Sequence, residues 1–279
     1  MNSSGTSSNF SAGDQVVPFL KWAGGKRWFT SRYLDMVPTR YKRYIEPFLG
    51  SGAMFFALQP KMAILSDINS DLIDCFQAVC EDPESITKKL LKHHNAHSKD
   101  YFYHTRSSKP TDSIGRAVWL IYLNRTCWNG LYRVNKSNEF NVPIGSKNSV
   151  VLSTDNFAKI GRLLLNAEII CQDFEESIEA AGPEDFVFVD PPYTVNHNLN
   201  GFLKYNDKIF SWTDQIRLRD AVERASSRGA QVLVTNANHI SVREIYSGIG
   251  RLDVVNRSSV LAANAAHRIQ TEELVVRTW

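Results

Sequence analysis

The 279-residue sequence predicts an α/β protein: one sheet whose strands come from both ends of the chain, with a mainly helical insertion near residues 76–165. Three observations carry this. First, "YIEPF" (44–48) and "MAILS" (62–66) are short apolar runs enclosing the glycine-opened segment "GSGAMFFAL", a β-α-β pattern that favours parallel strands. Second, from "DLIDCFQAVC" to about Leu165 apolar residues recur at helical spacing, as in "SIGRAVWLIYLNRTCWNG", and strand signals are scarce. Third, strands then return as "AEIICQ" (167–172), "FVFV" (186–189), "QVLVT" (231–235), "RLDVV" (251–255) and "EELVVRTW" (272–279). A helix fits "WTDQIRLRDAVERASSRG", with Thr213 as its N-cap and Gly229 as its stop. The parts are therefore a polar tail at 1–14, expected to be disordered, a sheet-bearing unit at 15–75 and 166–279, and the insertion at 76–165.

Composition narrows the class. A hydrophobic content of 43% with 22% charged residues suits a folded chain in water, and no apolar run approaches the ~20 residues needed to span a bilayer. The N-terminus lacks the basic-then-apolar order of a signal peptide. Cys75, Cys80, Cys127 and Cys171 form no CxxC pair, so metal binding and a disulfide framework are disfavoured; buried, reduced thiols in a cytoplasmic protein are expected. The seven histidines show no ligand spacing, and His93, His94 and His97 read as surface residues of a polar helix. The net charge of +3 is unevenly spread: residues 76–165 hold 13 Lys and Arg against 7 Asp and Glu, while 166–279 hold 11 against 16. The basic middle third fits either a polyanionic partner or a plain solvated face.

Two motifs carry chemistry. Gly50-Ser51-Gly52 follows a strand and opens a helix, where missing β-carbons let a ligand approach the backbone. Asp67 ends the next strand, 17 residues after Gly50, near the spacing at which an acid meets a ribose hydroxyl in nucleotide-binding βαβ units. GxG alone is also what a tight turn looks like; the acid favours an adenosine-bearing cofactor. The second motif is "DPPY", ending the apolar strand "FVFV". Neither proline can donate to a sheet neighbour, so the strand stops there. Asp190 offers a carboxylate, Pro191 and Pro192 fix the backbone so that a carbonyl is aimed, and Tyr193 offers a flat face. Two acceptors and a ring suit a planar base bearing an amino group, and adenine fits. Its amine is a poor nucleophile because the lone pair is delocalised, and acceptors on its hydrogens favour charge developing on nitrogen during attack on a sulfonium methyl donor.

On these motifs the chain resembles the Dam-like, α-group DNA adenine-N6 methyltransferases, over most of residues 16–279 and in the family's order. The resemblance implies a Rossmann-like methyltransferase sheet with an inserted, mainly helical target-recognition domain. It implies S-adenosylmethionine as cofactor, with "FLKWAGGKR" (19–27) supplying Trp22 and Lys26, "EPFLGSG" supplying Phe48, Gly50 and Gly52, "SDINSDLI" supplying Asp67 and "CQDF" supplying Asp173. Asp190 would accept from the target amine and Tyr193 would stack on the base. The partner implied is double-stranded DNA, with the adenine turned out of the helix. The region "LNRTCWNGLYRVNKSNEFNVPIG" (123–145) is similar to the one that reads DNA in the family, and Leu131 and Arg133 match recognition residues of members acting on GATC. Trp128 is there either a wedge in the disturbed stack or a core tryptophan, and Asn129 lies in the same loop. Arg125, Lys136 and Lys147 are expected to meet phosphate or water. A companion restriction endonuclease is a further implied partner. The competing readings are an RNA or protein-amide methyltransferase with a similar catalytic loop, and a DNA-binding protein without turnover.

Overall fold

The computed structural model of the protein describes residues 16–135, 137, 139–195, 210–258 and 270–279. The expected tail (1–14), the polar stretch 196–207 and Lys136 lie outside the described residues. Seven strands form one sheet: β1 (Arg43–Glu46), β2 (Ala63–Asp67), β3 (Ala167–Cys171), β4 (Asp185–Val189), β5 (Gln231–Ala237), β6 (Arg251–Ser258) and β7 (Gln270–Arg277). Their order is β3-β2-β1-β4-β5-β7-β6. The first five run parallel, and β7 inserts antiparallel between β5 and β6.

The strands form where the sequence leaves them no polar face. β4, "DFVFV", is buried at every position, as a central strand covered on both sides must be. β1 stops at Glu46, not at Phe48 as the apolar run suggested, because Pro47 has no N–H to continue the ladder. Odd and even positions feed two apolar clusters. One face carries Tyr44, Leu65, Phe186, Phe188, Leu233 and Val275; the other carries Ile45, Ile64, Val187, Val189, Val232, Val234, Leu274 and Val276.

Helices cover both faces. On the first lie α1 (Arg27–Thr30), α2 (Ala53–Leu58), α3 (Ser70–Glu81), α4 (Pro83–Ala96), α5 (Lys99–Ser107), α6 (Ser113–Thr126) and α7 (Phe157–Leu164), through Phe29, Phe56, Phe76, Leu90, Phe102, Leu120 and Ile160. The expected boundary at residue 75 lies inside α3, which packs on α6 and α7, and the helices between residues 76 and 165 share an apolar cluster with the sheet. On the second face lie α8 (Phe174–Glu179), α9 (Trp212–Ser227) and α10 (Ile240–Ile245). Ser211, not Thr213, caps α9: its hydroxyl accepts from the Asp214 N–H, and Asp214 returns a bond to the Ser211 N–H. Gly229 does stop that helix, with Gly229 N–H donating to Ser226 and Ala230 N–H to Ala225. None of the described helices is long and apolar enough to cross a membrane.

Candidate active site

The strand order reverses between β1 and β4, and the carboxyl edge at such a point is where open α/β sheets gather ligands. Two loops meet there: Pro47–Gly52 after β1 and Asp190–Tyr193 after β4. Side chains two residues apart share a face. Asp67 therefore follows Leu65, Glu46 follows Tyr44, Asp190 follows Phe188, Thr235 follows Leu233, and Glu273 shares a face with Val275. Alternation along five strands thus lines one face of this edge with four carboxylates and a hydroxyl.

At the β1 loop, Asp67 Oδ2 accepts from the Gly50 N–H at 3.1 Å and Oδ1 from the Asn69 N–H at 3.0 Å. Burial raises the Asp67 pKa, opposed by these backbone bonds. Gly50 has φ +49°, and a β-carbon there would stand 3.0 Å from Cδ1 of Trp22. The absence of that carbon is what lets the indole lie against the loop. Trp22 in turn stacks on Tyr132, with ring centroids 5.4 Å and planes 24° apart. Phe48 stacks on Phe174 at 5.3 Å and meets Phe210 edge-on at 5.7 Å. Asp173 is already engaged: Oδ1 caps α8 through the Glu175 N–H at 2.9 Å and accepts from Arg217 at 2.5 Å.

At the β4 loop, Asp190 Oδ1 accepts from Lys26 Nζ at 2.7 Å and from Thr235 Oγ1 at 2.8 Å. Among the described residues no donor is bonded to its Oδ2. Burial raises the Asp190 pKa and Lys26 pulls it back down. Lys26, only 3% exposed, also donates to the Gly24 carbonyl at 3.0 Å and lies 5.0 Å from the centroid of the Tyr193 ring. The Tyr193 hydroxyl donates to Glu273 Oε2 at 2.5 Å. Burial, with Asp190 and Glu273 nearby, pushes that phenol well above its ordinary pKa, so it stays a donor. Glu46, also buried, accepts from the Tyr44 hydroxyl at 2.8 Å; burial, with a lesser push from the Asp190 charge, raises its pKa to about 8. The structure thus brings together Trp22, Lys26, Gly50, Asp67, Asp190 and Tyr193, with Pro191 buried behind the kink and Pro192 half-buried. Gly52 is the N-cap of α2 at φ +66°.

Thr235 and Glu273 were not singled out from the sequence. The available signal was a carboxylate at an inward position of "EELVVRTW", where alternation demands an apolar residue.

The expected DNA-facing residues divide. Trp128 is 54% exposed, which rules out the core-tryptophan reading. Asn129 is exposed beside it, with φ +54°. Leu131 is half-buried against the core, and Arg133 is exposed with Nε donating to Asn141 Oδ1 at 2.8 Å. Lys147 is exposed. Arg125 is corrected: it is 7% exposed, its guanidinium grips both carboxylate oxygens of Asp155 at 2.6 and 2.7 Å, and it donates to the Val150 and Phe19 carbonyls. The interior holds it because both terminal nitrogens of the guanidinium find a carboxylate oxygen and a carbonyl there. Asn124 anchors the same region, exchanging two bonds with the Lys21 backbone and donating to the Gly130 carbonyl. A β-carbon at Gly130 (φ +64°) would stand 2.7 Å from Lys21 Cδ, so exposed Lys21 reaches the Trp128 loop by a close approach that only glycine permits.

His93 and His97 are also corrected, being half-buried against Tyr101 and Tyr122, whose hydroxyls lie 3.1 and 2.9 Å from their Nδ1 atoms; His94 is exposed as expected. Cys75 and Cys127 are buried, Cys80 is half-buried and Cys171 is exposed. No group of three or more His, Cys, Asp or Glu among the described residues is placed to hold a metal ion.

Known proteins resemble this chain over most of its length. Residues 22–260 match the model of the family described as D12 class N6 adenine-specific DNA methyltransferase. The chain is 34% identical to the type II methyltransferase M1.LlaDCHI of Lactococcus lactis subsp. cremoris, covering 94% of this chain and 95% of that protein. It is 34% identical to the type II methyltransferase M.MjaIII of Methanocaldococcus jannaschii, covering 95% and 100%. A DNA adenine methylase of Haemophilus influenzae is 31% identical, with 92% of each chain covered.

Proposed function

Because the chain belongs to the D12 class N6 adenine-specific DNA methyltransferases, we propose that the Asp190–Tyr193 loop is where it holds the adenine it methylates. Membership of that family makes it an enzyme acting on adenine in DNA, which sets aside the RNA, protein-amide and binding-only readings. The observation that carries the site is the half-satisfied carboxylate: both bonds to Asp190 fall on Oδ1, and Oδ2 has no described donor at the carboxyl edge. An exocyclic amine supplies the missing donor.

S-adenosylmethionine is the methyl donor we infer. The residues fit it: the turn at Gly50 lets the Trp22 indole lie against the loop at the carboxyl edge, and Asp67 at the neighbouring strand end offers carboxylate acceptors. Trp22, Lys26, Phe48, Gly50, Gly52, Asp67 and Asp173 would hold it, with Asp190 bordering the same space. When bound, it supplies an electrophilic methyl group on sulfonium sulfur. Asp190 and the Pro191 carbonyl accept the two amine hydrogens, favouring a pyramidal nitrogen and stabilising its developing charge. Tyr193 provides the stacking face, and Lys26 keeps Asp190 ionised and so able to accept. Net, a nitrogen–carbon bond forms, a sulfur–carbon bond breaks and the amine releases one proton.

The substrate we propose is duplex DNA with the adenine flipped out, a step costing a few kcal/mol, and GATC as the site, from the "NGLYR" match. Exposed Trp128 and Asn129, with Leu131 and Arg133, form the reading surface, and Lys136 belongs to the same segment. The names of the two type II relatives support a companion restriction endonuclease in the same cytoplasmic system. Sequencing DNA from cells expressing the chain should show N6-methyladenine confined to GATC; modification at another site would overturn that specificity. Asp190→Ala should abolish the mark while leaving DNA binding, and normal methylation by that variant would remove Asp190 from its role.

A further inference from the structure

We propose that Glu273, on β7, is a positioning residue for methyl transfer: it fixes the Tyr193 ring by its hydroxyl and draws Lys26 partly off Asp190. The inference rests on the reading of Asp190 and Tyr193 given above.

Glu273 is 2% exposed in β7, just before the apolar Leu274–Val276, in register with Ala237 of β5 on one side and Val255 of β6 on the other. A carboxylate there is expensive, and an apolar residue of similar size is often neutral or stabilising in its place. A purely structural need would be met more simply by a leucine. What the carboxylate contacts belongs to the site. Oε2 accepts from the Tyr193 hydroxyl at 2.5 Å and lies 3.6 Å from Lys26 Nζ; Oε1 accepts from Arg257 at 3.2 Å. With Asp190, the group contains two cations and two anions, so its charge balances within the cluster.

Two consequences follow for the reaction. Tyr193 sits on a loop, and a phenyl ring on a loop can slide and tilt. Its tether to a strand held on both edges fixes the plane on which the base would lie, and misplacement of a reacting group by about 1 Å can cost 10²-fold in rate. Lys26 is the only described side-chain cation bonded to Asp190. A second anion 3.6 Å from its Nζ shares its charge, leaving Asp190 a stronger acceptor for the amine than a simple ion pair would.

The test compares Glu273→Gln, Glu273→Ala, Tyr193→Phe and the Glu273→Ala/Tyr193→Phe double variant in the full chain. It uses methyl transfer from S-adenosylmethionine to an adenine-containing duplex, and a separate binding duplex with 2-aminopurine, which has no amine at C6 to methylate, at the target position to report the environment of the extruded base. Glu273→Ala should lower kcat about 10²-fold with the donor KM changed less than about threefold. Glu273→Gln, which keeps an acceptor for the Tyr193 hydroxyl, should restore about tenfold of that loss. The double variant should be no worse than about twofold below Glu273→Ala, because the tether is already gone, and in both alanine variants the 2-aminopurine emission should rise as stacking on Tyr193 loosens. Glutamine at wild-type kcat, a loss confined to donor KM, or independent multiplication of the Ala and Phe losses would each overturn the proposal. Should Glu273→Ala fail to fold, Glu273→Gln against Tyr193→Phe still decides it. Asp190→Ala runs alongside: if it methylates normally the site reading fails, whereas an inactive Asp190→Ala with a normal Glu273→Gln removes only the role of Glu273.

Discussion

The Trp22 indole lies on the ring of Tyr132, joining the turn before α1 to the "NGLYR" loop, two segments 110 residues apart in sequence. Tyr132 is further fixed by its hydroxyl, which donates to Asp71 at 2.9 Å. Trp22 borders the glycine loop, so the stack is a mechanical link between the proposed donor side and the proposed DNA side. Tyr132→Ala should weaken donor binding although it lies in the loop proposed to read DNA. A stacked aromatic pair is worth about 0.5–1.5 kcal/mol, so donor affinity should fall about two- to tenfold in calorimetric titration without DNA. Unchanged affinity would mean that Trp22 holds its place unaided.

Gly50 tests the same contact from the other side. Gly50→Ala places a methyl group 3.0 Å from the indole and forces a non-glycine residue to φ +49°. The backbone alone costs about 1–2 kcal/mol in that region. We expect a matching drop in unfolding free energy, measured by urea titration, and weaker donor binding as Trp22 is pushed aside.

The buried acid on β1 makes stability depend on pH in an unusual direction. Glu46 has its pKa raised from 4.5 to about 8 by burial. Below pH 4.5 folded and unfolded chains are both protonated there and the group contributes no difference. Between about pH 4.5 and 8 the unfolded chain gives up the proton while the folded chain keeps it, so this group's contribution to stability falls as pH rises and levels off above about 8. Glu46→Gln keeps an acceptor for the Tyr44 hydroxyl and removes the titration. The variant should gain on the wild type steadily from pH 5 to pH 8, by a few kcal/mol at most, in paired urea titrations. A constant difference across that range would show that Glu46 is ionised in the folded chain.

What the sequence revealed, and what it did not, follows from how local each signal is. The strands could be found because a central strand such as "DFVFV" must be apolar at every position. The Gly50–Asp67 pair could be found because its spacing follows from one β-α-β unit, and the two do meet. Glu273 and Thr235 were missed because their meaning comes from register across the sheet, which places residues 83 and 45 positions after Asp190 beside it. Trp128 could not be classified because it follows the end of α6, where helical periodicity no longer says which way a side chain points. Thr213 has the chemistry of a capping residue, but so does Ser211 two positions earlier, and the bond from the Asp214 N–H puts the cap at Ser211.

Arg125 shows how a charge count misleads, and it separates a structural cation from a DNA-reading one. It was counted with the basic middle third, but its partner Asp155 lies 30 residues on and the pair is buried. Removing one member of a buried pair leaves the other uncompensated, so Arg125→Ala should cost about 3–5 kcal/mol of stability. Because no phosphate contact is lost, the salt dependence of DNA affinity in the folded variant should be unchanged; a true phosphate contact would flatten that slope by about one unit. Arg133→Ala should behave in the opposite way. The side chain is exposed and bonded only to Asn141 among the described residues, so stability should stay within about 0.5 kcal/mol of the wild type. Its loss should relax discrimination at one base pair by about 1–3 kcal/mol, read from methylation rates on duplexes carrying single substitutions in the site. If Arg125→Ala instead left the unfolding midpoint in place and flattened the salt slope, the buried pairing with Asp155 would not be the role of that residue.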